Sequence, residues 1–321
     1  MKHRLIIGFD IGGTKSSVIL ATSAGEIIGR ISAPTEIPEG PLVTVNRLIN
    51  DARKLMEQHN LSKEDVAGVG ICCGGPLDRE TGIILGPPNA PGWDYVPVVS
   101  LTTDALGIPA VLENDADCIA LAEFYFGAGK GKKNVVAFTW GTGVGSGIVI
   151  NGRLYSGTKG MAGEIGHVTY LSGGRPCGCG KLGCIEAYAS GSSIARMAAE
   201  QVQAGRASSL SGKDLVDTQS VCDAARAGDE LALEVLKVAA RAMGRAVSIA
   251  AHVLNPEVIA LGTMAVKAGD LLMPEVLNVV EAEVWPQIRE TLEIVPSPLG
   301  DRIQDLAAIS AFLGRSLPEF E

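Results

Sequence analysis

Apolar positions along this chain follow two alternating patterns. Short, nearly continuous runs that end at glycine or turn residues read as buried strands, and longer stretches with apolar residues three and four apart read as helices. Strands are predicted over 4–9, 17–21 and 26–31, the last two joined by a turn at Ser23-Ala24-Gly25. Over 41–59 the residues Leu42, Val45, Leu48, Ile49, Ala52, Leu55 and Met56 recur at helical spacing, with Pro41 in the first turn. Strands over 66–72 and 109–113 and a helix over 115–126 follow. Strand and helix alternate, which makes the class α/β.

The pattern then starts again. A strand over 135–140 runs into Gly141-Thr142-Gly143-Val144-Gly145-Ser146-Gly147, followed by a strand over 148–150, an Asn151-Gly152 turn and Arg153-Leu154-Tyr155. Moving the first unit forward by 129 positions lays Gly12 on Gly141 and Ser17 on Ser146. Strand, glycine-rich turn, strand, turn, strand therefore occurs twice, which suggests two similar domains facing one cleft. Further helices are predicted over 185–203, 230–254, 265–284 and 303–313, with a strand over 257–261 ending at Gly262. The polar, Gly- and Ser-rich stretch 204–218 is the expected mobile loop.

The length of 321 residues suits two domains, each with its own core. Lys and Arg number 27 against 36 Asp and Glu, a formal net charge of −9, so the chain carries no electrostatic footprint for nucleic acid or an anionic membrane. A phosphorylated ligand is still compatible with that charge if backbone amides and a metal ion receive the phosphates. The basic start Lys2-His3-Arg4 precedes too short an apolar run for a signal peptide. No uncharged apolar stretch reaches the ~18–20 residues of a membrane helix, and a cytoplasmic protein is expected. Seven cysteines, an odd number, include three within Cys177-Gly178-Cys179-Gly180-Lys181-Leu182-Gly183-Cys184. In a reducing compartment such a cluster points to metal rather than disulfides.

The turn Asp10-Ile11-Gly12-Gly13-Thr14-Lys15 offers backbone amides that a phosphate can approach closely, because glycine has no Cβ. It misses the Walker A pattern, since Thr14-Lys15 stands where Lys-Ser/Thr is required. The Rossmann fingerprint fails as well, because the glycines lead into a strand and not a helix. A phosphate loop and a plain tight hairpin both remain open readings. Glu113-Asn114-Asp115 lies at a strand-to-helix junction, where Asp115 is either an N-cap or a carboxylate placed to accept a substrate's hydroxyl proton. Asn89, before Ala90-Pro91-Gly92-Trp93, is a turn residue by default. Cys177, Cys179 and Cys184 with His167, one of four histidines, make a Cys₃His set suited to a closed structural zinc site. The alternative is three unligated cysteines in a glycine-rich loop. Zinc there would hold Glu164, His167 and Glu186 in place before a polyhydroxylated ligand arrives.

With these residues in view the chain resembles the ROK (repressor, open reading frame, kinase) family of the actin-like ATPase superfamily. The resemblance rests on the segments 10–15, 88–93, 113–116, 141–145, 163–167 and 177–186, in family order over nearly the whole chain. It implies an α/β fold of two actin-like (ribonuclease H-like) domains flanking a cleft, 1–115 and 116–302, with the last helix over 303–321 returning to the first. It also implies transfer of the γ-phosphoryl group of ATP to a hexose, usually at the 6-hydroxyl, with Mg²⁺ and a structural Zn²⁺. By position Asp115 is then the general base, and Asn89, Asn114, Glu164, His167 and Glu186, with Gly75 nearby, bind the sugar. His167 serves sugar and zinc through one ring nitrogen each. Gly12, Gly13, Thr14 and Lys15 and the second turn Gly141, Thr142 and Gly143 are the implied phosphate loops. Gly262 belongs to the nucleotide loop, and Asp10 orients Mg²⁺ through water.

Glucose is the first expected substrate; N-acetylmannosamine, N-acetylglucosamine, mannose, fructose and allose are alternatives that differ by one group or epimer. A homodimer or homotetramer is the expected assembly. The family also contains sugar-responsive repressors, but only nine residues precede Asp10, too few for a helix-turn-helix. A silent sugar-binding protein is the third reading, and the intact Glu113-Asn114-Asp115 argues against it. Two departures stand out. The nucleotide loop usually reads Gly-Gly and here is Gly262-Thr263, where a β-branched residue tolerates positive φ poorly, which bears on the adenine contact and on the preference for ATP. The sugar loop usually reads Pro-Gly-Pro and here is Gly74-Gly75-Pro76.

Overall fold

A computed structural model, which describes residues 4–87 and 90–316, builds the chain around two five-stranded sheets. The first comprises β1 (Leu5–Ile11), β2 (Lys15–Thr22), β3 (Ile27–Pro34), β4 (Val66–Cys73) and β7 (Ala110–Asn114). Helix α1 (Pro41–Gln58) joins β3 to β4. A short hairpin of β5 (Leu77–Asp78) and β6 (Ile83–Ile84), then α2 (Val98–Leu106), joins β4 to β7. After α3 (Asp115–Phe126) come β8 (Val135–Phe138), β9 (Ser146–Ile150) and β10 (Arg153–Leu154). Next are α4 (Glu186–Ala189), α5 (Gly191–Gln203), α6 (Thr218–Arg226) and α7 (Glu230–Leu254). The chain continues through β11 (Val258–Leu261), α8 (Thr263–Glu283), α9 (Pro286–Arg289), β12 (Glu293–Pro296) and α10 (Ile303–Ser316).

The sheet orders are β3-β2-β1-β4-β7 and β10-β9-β8-β11-β12. In the first, β2 pairs antiparallel with β3 and β1, and β4 and β7 extend the sheet in parallel; in the second, β10 pairs antiparallel with β9, and β11 and β12 extend β8 in parallel. The repetition seen in the glycine-rich turns is thus a repetition of topology. Among the described residues no helix is long and apolar enough to cross a membrane.

Contacts divide the chain into one unit of Met1–Gly131, Gly147–Ala162 and Asp301–Glu321 and another of Lys132–Ser146 and Gly163–Gly300. The division lies after Gly131 rather than between 115 and 116, because α3 packs on α10 within the first unit. Helix α10 also lies directly on β1 and β4. Glycine makes that approach possible: a Cβ at Gly70 would stand 2.3 Å from the Ala308 carbonyl oxygen. On α1 the predicted stripe Val45, Leu48, Ile49, Ala52 and Leu55 is buried, while Leu42 at its start faces solvent.

The structure departs from the periodicity at identifiable points. The helix predicted over 185–203 breaks at Ser190, whose backbone is extended (φ −67°, ψ 154°) and whose hydroxyl caps α5 by accepting the Ser193 N–H. The strand predicted over 135–140 stops at Phe138, because Trp140 takes a positive φ of 31°. The elements β5, β6, α2, α6, α9 and β12 have no counterpart in the predicted list. All are short, and each has its place set by a neighbouring segment as much as by its own periodicity.

Candidate active site

In the first unit the register of three parallel strands assembles the site. Asp10 of β1 lies opposite Cys72 of β4, and Cys72 opposite Glu113 of β7, so the strands end side by side. Ligands of open α/β sheets bind at such carboxyl ends. Beyond β1 the Gly12 N–H donates to the Lys15 carbonyl at 3.1 Å, and a Cβ at Gly12 would stand 2.8 Å from that oxygen. Gly13 and Thr14 complete the turn, and Thr14 and Lys15 are exposed.

Asn114 closes β7 and is the N-cap of α3, its Oδ1 accepting the Ala116 N–H at 2.9 Å. Capping therefore falls to Asn114, and Asp115 is the first helical residue. The Nδ2 of Asn114 lies 3.3 Å from where a Cβ on Gly75 would stand. Asp115 Oδ1 accepts the same Ala116 N–H at 2.9 Å. Asp115 remains open to solvent, yet the protein crowded about its carboxyl raises its pKa by loss of hydration, which the Ala116 N–H partly offsets. Burial pushes the Asp10 pKa up to about 7; the carboxylates of Asp305 and Asp115 add to the shift, and Arg30 and Lys15 oppose it. Glu113 is buried against Arg79 at 2.6 Å and accepts the Asn114 N–H at 3.1 Å. Its burial raises the pKa and Arg79 lowers it. Arg79 carried no signal in the sequence, because its partner is 34 residues away. It also lines a cavity of about 690 Å³ with Leu77, Leu85, Lys159 and Met161. Asn89 lies outside the described residues.

In the second unit Gly141, Thr142 and Gly143 form the corresponding turn, closed by the Gly141 N–H on the Gly143 carbonyl at 3.0 Å. Gly262 follows β11 with φ −77°, and a Cβ there would stand 2.3 Å from the Thr139 carbonyl oxygen. Thr263 begins α8 and is not among the residues of positive φ, so the strain expected of a β-branched residue here does not arise. The glycine is required for close approach rather than for a left-handed backbone.

His167 ends a 3-10 turn of Glu164–His167 and points Nδ1 at Cys177 Sγ, 3.7 Å away, while Nε2 lies 3.8 Å from Glu164 Oε2. Cys179 and Cys184 sulfurs are also 3.7 Å apart, and the ligand atoms of His167, Cys177, Cys179 and Cys184 all lie within 4.8 Å of one another. A tetrahedral zinc with Zn–S bonds of ~2.3 Å spaces its sulfurs about 3.8 Å apart. The donor set and its spacing therefore fit zinc. The Lys181 N–H lowers the Cys179 pKa, whereas burial raises those of Cys177 and Cys184. Glu186, first residue of α4, accepts the Val144 N–H through Oε2 at 2.9 Å. A smaller cavity of about 300 Å³ is lined by Thr142, Gly143, Cys177, Glu186, Ser192 and Arg196.

A profile of the ROK family matches residues 6–310. A glucokinase of Halalkalibacterium halodurans is 37% identical over 306 residues, covering 94% of this chain and 92% of its own. Among solved structures, the ROK hexokinase from Thermus thermophilus superposes with a TM-score of 0.84 at 31% identity, covering 96% of this chain and 98% of that one. A ROK family glucokinase from Streptomyces griseus, in complex with glucose and AMPPNP, gives a TM-score of 0.79 at 29% identity, with 97% and 99% covered.

Proposed function

The chain belongs to the ROK family, and from that membership we propose that it transfers the γ-phosphoryl group of ATP to a hexose, glucose before others, at the 6-hydroxyl. The observation that carries this reading is the meeting of Asp10, Gly75, Asn114 and Asp115 at the carboxyl ends of neighbouring parallel strands. Likeness to glucokinases over nearly the full length supports the choice of sugar.

Asp115 is the general base. It accepts the hydroxyl proton as the sugar oxygen attacks the γ-phosphorus, the bond to the bridging oxygen breaks, and ADP leaves. A raised pKa brings this carboxylate nearer to working pH, which improves a general base. The Ala116 N–H fixes Oδ1 and with it the direction of the carboxylate. Asn114 and Gly75, and Glu164, His167 and Glu186, are the residues assigned to the sugar's hydroxyls. The turns of Gly12–Lys15 and Gly141–Gly143 receive the phosphates through backbone amides. Asp10 would hold Mg²⁺, which when bound would neutralise charge on the transferring group. His167, Cys177, Cys179 and Cys184 would hold a structural zinc. His167 offers Nδ1 to the metal and turns Nε2 away from the cysteines, consistent with a second role toward the sugar.

The test is ADP release with Mg-ATP over a panel of hexoses and N-acetylhexosamines, with Asp115→Asn measured beside the wild type. One sugar turned over far better than the rest, and turnover lowered by roughly three orders of magnitude or more in Asp115→Asn with sugar binding kept, is the expected result. Near-normal turnover of that variant would remove Asp115 as the base.

A further inference from the structure

Four hydrogen bonds tie the 140–144 turn to the segment that follows the cysteine cluster. Trp140 Nε1 donates to the Ala189 carbonyl at 2.9 Å, the Gly191 N–H to the Gly141 carbonyl at 2.8 Å, and Ser192 Oγ to the Thr142 carbonyl at 2.8 Å. The fourth is the Val144 N–H on Glu186 Oε2 at 2.9 Å, and the other oxygen of that carboxylate, Oε1, lies 3.6 Å from Cys177 Sγ. Of the four ties, this one alone also touches a member of the Cys/His cluster. A Cβ at Gly143 would stand 2.8 Å from Oε2, so a glycine occupies the position where the carboxylate crosses the turn. Val144 is buried, and its N–H would lose its partner if the carboxylate withdrew.

We propose that Glu186 is a positioning residue for the phosphoryl donor, setting the Gly141–Val144 turn and passing to it the state of the His167/Cys177/Cys179/Cys184 cluster. This rests on the reading above, in which that turn receives phosphates and that cluster holds a metal. A metal held by the cluster fixes Cys177 and Cys184, the latter two residues before Glu186. Fixing Cys184 fixes the start of α4 and with it Glu186, and the carboxylate fixes the Val144 N–H and the amides of Thr142 and Gly143 before it. Charge-assisted bonds of this kind are stronger than neutral ones, so one carboxylate is enough to bias a four-residue turn. Metal and nucleotide affinity are then coupled, each strengthening the other by the same factor.

The experiment is calorimetric binding of Mg-AMPPNP without sugar to the full chain. Wild type, Glu186→Ala and Glu186→Gln are each measured with metal and after stripping by a chelator, with zinc content and circular dichroism recorded for every sample. Stripping should weaken nucleotide binding about tenfold in the wild type. Glu186→Ala should show a similar loss with metal present and little more without it. Glu186→Gln, which keeps an acceptor for the Val144 N–H, should recover most of the affinity. Nucleotide affinity in Glu186→Ala equal to wild type, with only sugar binding lost, would overturn the proposal and leave Glu186 a sugar ligand alone. So would losses from stripping and from substitution that simply multiply. If Glu186→Ala does not fold, Glu186→Asp, whose shorter side chain leaves the Val144 N–H, is measured in its place with the same supporting and overturning results. A wild type without zinc, or without nucleotide binding, would instead refute the underlying reading, and the wild-type samples report that separately.

Discussion

Asp10→Asn should make the protein more stable above neutral pH while removing its activity. The side chain is nearly isosteric, and the change removes a carboxyl whose pKa burial and the neighbouring Asp305 and Asp115 push up to about 7. In the unfolded chain the same group titrates near 3.8. Between those values the folded state binds more protons than the unfolded state, so the wild type loses stability as pH rises through this window. The stabilising share is complete below about pH 4 and gone above about pH 7. The pKa difference corresponds to a ceiling of about 4 kcal/mol, reduced by the solvent that reaches this half-buried carboxylate. Asparagine has no such dependence. The variant should match the wild type near pH 4 and exceed it increasingly towards pH 8. Urea unfolding in magnesium-free buffer from pH 4 to 8 measures the difference, and carbon-13 labelled aspartate gives the pKa directly. Two stability curves that run parallel over this range, or an Asp10 pKa near 4, would refute the reasoning.

Two further outcomes are expected. Cys179→Ser should lose zinc and lower the melting temperature together, because serine replaces one of four ligands; unchanged metal content by mass spectrometry would remove the site. Arg79→Met should destabilise the chain by about 3–5 kcal/mol at pH 7 by leaving Glu113 buried beside an apolar side chain, and the loss should shrink as pH falls and Glu113 takes up a proton. A pH-independent loss in urea unfolding would mean that packing rather than charge is responsible.

The sequence by itself determined the parts whose causes are local. Apolar runs broken by glycine located most strands, the spacing on 41–59 located α1, and the Gly-rich turns at 12 and 141 announced the duplication that the two sheet orders repeat. The Cys/His set was legible because three of its four ligands fall within eight residues. Tertiary structure decided what depends on register and on distant partners. Only strand pairing brings Asp10, Cys72 and Glu113 abreast and places Asp115 beyond the strand end, and only the fold buries Asp10 near Asp305 and Asp115, which raises its pKa. Only the fold shows that Asn114 does the capping, that Arg79 neutralises Glu113, and that Glu186 reaches back 42 residues to Val144. Helical and strand periodicity act over a few residues, whereas these contacts join segments tens of residues apart, and no spacing along the chain records which segments pack together.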